Sequence, residues 1–283
     1  MIRLLSALFL LLLGTTPCLL AQAPGMPLVA AASSSPRFWL DGDVEWASPR
    51  VNGNDLSRRY DSTFIPQITF GWNIADDQAM IASYRYLGAD TSAAYHVGIP
   101  DAESEDWRHL RLQTLDLMYR ERMGGVGAPL GMDVDMGSRF VYTKFNDQIL
   151  ANTIGGPFDQ QREQSAFLMG PRMGIRPYWM FDQSEWQMTI YGRLNGSYLW
   201  GTFRSRESVN GSPTVYDNTY SSLWNYDAEA GLSFCIPGTD GALQLSGGYR
   251  YEYWSSSRFG FITGGDTGNV TTQGPFIRLQ FAF

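Results

Sequence analysis

Along most of this chain the hydrophobic positions recur every second residue. At the C-terminal end Ile277, Leu279, Phe281 and Phe283 fall on one face and Arg278, Gln280 and Ala282 on the other, the period of a strand with one apolar side. An apolar strand left at a sheet edge invites pairing with other chains. A closed barrel has no edge and can turn such a face to lipid. The same period predicts further strands at 37–47, 60–74, 78–87, 107–120, 132–144, 166–179, 186–203, 224–234 and 242–254, before the last at 274–283. The expected fold is all-β: a transmembrane antiparallel up-and-down β-barrel of about ten strands, apolar outside and polar inside.

One strand resists this pattern. In the fourth, Leu115, Leu117 and Tyr119 fit the outward face and Thr114, Asp116 and Arg120 the inward one, but Leu110 and Leu112 fit the opposite phase. A β-bulge between them is the expected reconciliation. The predicted connections alternate in length. Long polar segments follow the odd-numbered strands (after the first, then 89–106, 145–164, 204–222 and 255–273) and short turns the even-numbered ones, as expected when both termini lie on the periplasmic side.

Residues 1–32 read as a cleaved export signal that precedes a barrel at 33–283. Arg3 supplies the charged start, 4–13 the apolar run, and Ala21-Gln22-Ala23 and Ala30-Ala31-Ala32 the small-residue sites, so cleavage is expected at 23 or 32. Cys18 stands between Pro17 and Leu19, which does not fit a lipidation site. Past this segment no run reaches the roughly 18 apolar residues of a helical span.

Composition sharpens the picture. Aromatic residues make up 14% and charged residues only 17%, where a soluble domain carries about a quarter charged. The net charge of -7 argues against a nucleic-acid partner. Lys144 is the single lysine among 21 basic residues, and arginine, always ionised and able to grip carboxylates with a fork, suits a confined charged interior. With Cys18 removed, Cys235 has no partner for a disulfide and reads as a packing residue.

The polar faces supply the candidate functional residues. Asp41, Asp43, Glu45, Asp116, Asp133, Asp135, Asp227, Glu229 and Glu252 are expected to line the lumen opposite Arg85, Arg120, Arg139, Arg172, Arg176, Arg193, Arg250 and Arg278. Charges of both signs across a channel sort small hydrophilic solutes. The same charges can instead pair and seal a narrow interior, and ten strands lie nearer the closed end of the size range. Small inward residues such as Gly71, Gly137, Gly170, Gly174, Gly231 and Gly248 tip the expectation toward a narrow passive pore. The alternative is a filled structural or surface-recognition barrel whose long connections bind a partner. Catalysis is not expected: the two histidines, His96 and His109, stand in no Asp-x-His arrangement. No cofactor or metal site is expected, and the Asp-x-Asp at Asp133 and Asp135 follows from facing a lumen.

Three motifs carry a family resemblance. Gly170-Pro171-Arg172-Met173-Gly174-Ile175, Gly248-Tyr249-Arg250-Tyr251-Glu252-Tyr253-Trp254 and Gly274-Pro275-Phe276 resemble the Legionella-type major outer-membrane protein family, which implies a pore-forming barrel in the bacterial outer membrane with its lipid as partner. The final strand resembles the C-terminal signal of outer-membrane barrels, which implies that Phe283 is an assembly signal for the barrel-assembly machinery. Closure of such a barrel sets Arg278 against the wall that carries Asp41, Asp43 and Glu45.

Overall fold

A computed structural model of the chain describes residues 38–53, 57–96, 103–123, 129–153, 156–182, 186–238, 241–256 and 268–283. The predicted export signal and Cys18 lie outside the described residues. The strands are β1 (Phe38–Ala47), β2 (Arg50–Gly53), β3 (Ser57–Arg59), β4 (Thr63–Ala75), β5 (Gln78–His96), β6 (Glu103–Met123), β7 (Leu130–Thr153), β8 (Gly156–Asp182), β9 (Gln187–Val209), β10 (Ser212–Gly238), β11 (Gly241–Ser256) and β12 (Gly268–Ala282). β1 and β4 to β12 form a closed antiparallel ten-strand barrel, with β2 and β3 a short hairpin on its rim.

Closure is made by β1 and β12, which pair from Trp39↔Ala282 to Glu45↔Phe276, with Asp43 opposite Arg278. The pairing continues to the last residue: the N–H of Phe283 donates to the carbonyl of Phe38 at 3.0 Å and that of Phe38 to Phe283 at 3.3 Å. Following paired residues once round the wall from Phe38 through Trp72, Met80, Tyr119, Met136, Met173, Gly196, Tyr226, Tyr253 and Thr271 leads back to Arg50, twelve residues along the chain. With spacings of about 3.3 Å along and 4.8 Å between strands, this stagger gives a tilt of about 40° and a backbone radius of about 10 Å.

The lipid face follows the predicted alternation. Phe64, Ile68, Phe70, Trp72 and Ile74 on β4, and Ile277, Leu279 and Phe281 on β12, are all exposed. Aromatic rings gather at both limits of this band. Phe38 stacks with Phe283 and Trp72 near the chain termini, and Trp46 meets Phe64, and Tyr198 meets Trp224, toward the other end. Such girdles mark the two membrane–water interfaces.

Two expectations are corrected here. The connections predicted at 89–106, 145–164 and 204–222 are largely strand: β7 and β8 run 24 and 27 residues, against about 10 for a membrane crossing. Their hairpins stand well clear of the bilayer. The β9–β10 hairpin closes on Asn210 (φ 49°) and Gly211 (φ 77°), the Asn-Gly pair that a two-residue turn needs because both central residues take positive φ. Second, β6 has no bulge, since its pairing with β5 and β7 runs without a register shift. Leu110 and Leu112 point inward, in phase with Thr114, Asp116, Met118 and Arg120, and all six are buried. The strand keeps its phase; the chemistry of the two faces changes along it.

Several inward glycines mark close approach, not open space. A Cβ on Gly170 would come within 2.0 Å of the Tyr198 carbonyl oxygen, whereas one on outward Gly42 meets nothing within 4 Å. Gly170→Ala should therefore destabilise the barrel by about 1–3 kcal/mol through a forced backbone shift, with Gly42→Ala near neutral. Urea unfolding in phospholipid vesicles, followed by tryptophan fluorescence, checks both.

Candidate functional site

Charged side chains from most strands of the barrel converge in the lumen. Strand alternation sends Asp41, Asp43 and Glu45 of β1, Arg85 of β5, Asp116 and Arg120 of β6, and Asp133, Asp135 and Arg139 of β7 inward, and all are buried. So are Arg172 of β8, Glu229 of β10, Arg250 and Glu252 of β11 and Arg278 of β12. Arg176, Arg193 and Asp227 are half-buried and line the small voids between the others.

These residues form one belt of paired charges. Toward the terminal end Arg120 grips Asp135 with a fork, Nε to Oδ1 at 2.6 Å and Nη2 to Oδ2 at 3.0 Å, and Arg193 adds a contact at 3.4 Å. In the middle Arg278 and Arg250 share Asp43, each at 3.0 Å, and both reach Glu229, at 3.0 and 2.8 Å. Arg85 joins Glu45 at 2.8 Å and also pairs with Glu252. Nearest the outer end Arg139 forks onto Asp116 at 2.7 and 2.7 Å, and Arg172 holds Asp227 at 2.8 Å. Neutral groups fill in the rest: Asn225 accepts from Arg139, Asn195 donates to Asp227, and the Tyr191 hydroxyl donates to Glu229 at 3.1 Å. Phe276 points inward between the guanidinium groups of Arg250 and Arg278, 5.0 and 5.2 Å from its ring centre. Asp41 and Arg176 make no ion pair within 4 Å among the described residues; Arg176 lies over the Tyr191 ring at 4.7 Å.

Beyond this belt, on the side away from the termini, the inward residues turn apolar on strand after strand. Leu87 follows Arg85, Leu112 and Leu110 follow Asp116, Val141 and Phe145 follow Arg139 with buried Thr143 between them, and Leu168 lies beyond Arg172. Leu199 and Phe203, Leu223, and Trp254 continue the layer on β9, β10 and β11, and Val51 and Tyr60 of the β1–β4 connection join it at the rim. These side chains form a single buried cluster. Trp254, with no exposed surface, meets the charged belt at Arg139, 5.4 Å below its ring. The voids left in the belt amount to about 30 Å³ beside Asp41 and Arg176 and about 20 Å³ beside Arg172 and Asp227, room for a water or so in each.

Several of these residues were not legible beforehand. Arg122, 3.7 Å from Asp133, and Arg108, 3.2 Å from buried Asp147, are inward cations that the sequence reading left unassigned. The apolar layer was missed because a lumen is expected to be polar; the out-of-phase Leu110 and Leu112 were its signal. His109 was set aside for want of an Asp-x-His spacing. The fold supplies its carboxylate across the sheet, where Asp90 of β5 faces His109 of β6 with Oδ1 2.6 Å from Nδ1 on the exposed wall. The side chain of His96 lies outside the described residues.

Because Arg139 serves three carboxylates, Arg139→Ala leaves buried charge uncompensated. It should cost about 3–5 kcal/mol, more than Arg85→Lys, which keeps the charge and loses the fork. Urea midpoints in phospholipid vesicles give the comparison.

Among solved structures, the outer membrane protease OmpT from Escherichia coli matches with a TM-score of 0.54 at 10% identity, over 87% of this chain and 96% of that one. The translocator domain of the autotransporter NalP from Neisseria meningitidis (TM-score 0.38, 8% identity, 89% and 90% covered) and the Ralstonia pickettii toluene transporter TbuX (0.38, 9%, 88% and 90%) are more distant. A search of curated proteins finds no match. The likeness to OmpT is one of fold alone, yet it corrects the expectation that this chain is not an enzyme: a protease is built on this architecture, so the exclusion drawn from two histidines does not stand. The sequence itself matches the family described as Legionella pneumophila major outer membrane protein precursor over residues 112–283. That match covers more than half of the 283 residues and includes all three motifs noted above; the chain belongs to this family and is a β-barrel of the outer membrane.

Proposed function

We propose that this protein is a closed-lumen barrel whose role is to hold an ordered sheet outside the outer membrane as a recognition surface, with no solute passage through its centre. The observation that carries this reading is the apolar layer across the outer end of the lumen. An ion crossing a dry layer of Leu, Val, Phe and Trp side chains would shed its hydration with nothing to replace it. Most charges of the belt beneath are paired, and the voids beside Asp41 and beside Arg172 each have room for a water or so.

The narrow-pore reading drew on small inward residues, and these do not leave space. Gly71 lies under the Trp39 indole and Gly231 under the Tyr191 hydroxyl, while Gly137, Gly170 and Gly248 face neighbouring backbone. Each small residue accommodates a neighbour. What extends beyond the bilayer, by contrast, is continuous paired sheet from β5 to β10, a rigid platform suited to holding a binding surface. Lipid is the partner of the exposed apolar band. The assembly machinery would read Phe283, which is half-exposed next to the end of β12.

Two measurements bear on this. Purified protein in planar bilayers should show no discrete conductance steps; a reproducible unitary conductance would sink the closed-lumen reading. Replacing Leu110, Leu168, Phe203 and Trp254 together by serine should let water into the outer end and produce measurable conductance. If that variant folds, by its heat-modifiable gel mobility, and remains silent, the apolar layer is not the barrier.

A further inference from the structure

The outer wall of the barrel changes character in rows as it leaves the bilayer. One outward row, read through the register from β5 to β10, is Tyr86, Gln113, Tyr142, Phe167, Thr202 and Tyr220, an aromatic row of the kind that sits at a membrane interface. Two residues further out, the next row from β6 to β10 is Arg111, Lys144, Ser165, Arg204 and Asn218. Arg206 stands one step beyond Arg204 on the same face. Arg111, Arg204 and Arg206 are exposed, and Arg111 and Arg204 make no ion pair among the described residues.

The single lysine of the chain therefore faces Arg111 on one flanking strand and Ser165 on the other, with Arg204 one strand beyond. Glu163, the one carboxylate in the two outward rows that carry these cations on β6 to β9, is held by Lys144 at 2.7 Å, and the two side chains are 49% and 30% exposed. Glu163 also stands opposite Arg206, and Asp217 borders the face; four cations against these two carboxylates leave a net positive face on a chain of net charge -7. Beside them are two shallow clefts of about 370 and 390 Å³, the first lined by Glu163, Ser165, Arg204, Arg206, Asp217 and Asn218.

We infer that this face binds the phosphate groups of an anionic lipid in the outer leaflet. The acyl chains would lie along the aromatic and apolar rows below, while the headgroup meets Arg111, Lys144, Arg204 and Arg206. Cations just outside an apolar band bind anionic headgroups through charge, and arginine adds a fork that matches phosphate oxygens. Because the strands tilt, each row climbs by about 3 Å per strand, so the four cations are spread in depth. That spread fits a headgroup with more than one phosphate better than a single-phosphate lipid. The site is independent of whether the lumen conducts.

The test uses the purified full-length barrel in phosphatidylcholine nanodiscs doped with diphosphoryl, monophosphoryl or dephosphorylated lipid A, with native mass spectrometry counting retained lipid. The wild type should retain the diphosphoryl form roughly tenfold or more above an R111A/K144A/R204A/R206A variant, retain the monophosphoryl form less, and fail to select the dephosphorylated form. Glu163→Gln, which frees Lys144, should retain at least as much as the wild type. Heat-modifiable mobility verifies the fold of each variant; should the quadruple variant not fold, Arg204→Ala alone carries the comparison with a smaller loss. Equal retention by the wild type and the folded cation variants overturns the inference. So does equal retention of phosphorylated and dephosphorylated lipid, or displacement of lipid by an equal concentration of inorganic phosphate.

Discussion

The hydrocarbon core offers no water to satisfy a backbone N–H or carbonyl, and each group left unpaired there costs several kcal/mol. For a sheet this leaves one solution, a ring in which the first and last strands pair. Here that seam joins β1 to β12, and the hydrogen bonds between Phe38 and Phe283 carry it to the chain's last residue. The stagger at the seam then sets the tilt and radius, and the radius sets what the interior must do. A cylinder about 10 Å in radius is too narrow to hold arginines from all sides and a water column together. The seam is also reinforced from inside, where Asp43 of β1 accepts from Arg278 of β12 and Arg250 of β11. Closure and interior charge are thus coupled at one residue.

Inside, the order of the layers matters more than the number of ion pairs. A buried pair roughly repays its desolvation and is weak evidence of stability on its own. In this lumen, however, Arg85, Arg139, Arg172, Arg250 and Arg278 each serve two or more carboxylates, so none of these five can turn away without exposing another charge. Arg139, with Asp116, Asp227 and Glu252 around it and Trp254 on its outer side, is where belt and apolar layer meet. The apolar layer excludes water from the belt's outer side, which strengthens the pairing beneath it. The belt in turn pairs most of its charges within itself, so the layer above it can stay apolar. Each makes the other tenable.

The membrane-crossing part of this fold was readable from the chain because lipid outside and charge inside impose a two-residue period of one sign. Ile68, Phe70 and Trp72 out against Gln67, Thr69 and Gly71 in leave no other register. Prediction stopped at the outer interface for a physical reason. Beyond the bilayer the outside must be polar, and the inside, still narrow, can be apolar. The sign of the alternation therefore reverses while the strand's geometry continues. Leu110 and Leu112 against Arg111 on β6, and Phe203 against Arg204 on β9, are that reversal. Read with one fixed sign it looks like a bulge or the start of a loop. Asn210-Gly211 is the hairpin signal that marks the 204–222 segment as strand, against the long connection expected there. The meeting of Asp90 with His109 was beyond reach, since it depends on a cross-strand register that no local spacing encodes.

The reversal also ties the two faces of the wall together. At the same residues where the interior closes, the exterior passes from the aromatic row of Tyr142 and Phe167 to the cationic row of Arg111, Lys144 and Arg204. One alternating stretch cannot satisfy both sides independently: a position that seals the lumen fixes its neighbour as lipid-facing, interfacial or solvated. Shifting β6 by one residue would put Arg111 in the apolar layer and Leu110 or Leu112 outside, and shifting β9 would exchange Phe203 with Arg204 in the same way, a double penalty that holds the register on both faces at once. The outer interface, and not the midplane, is therefore where the placement of this barrel in its membrane is set.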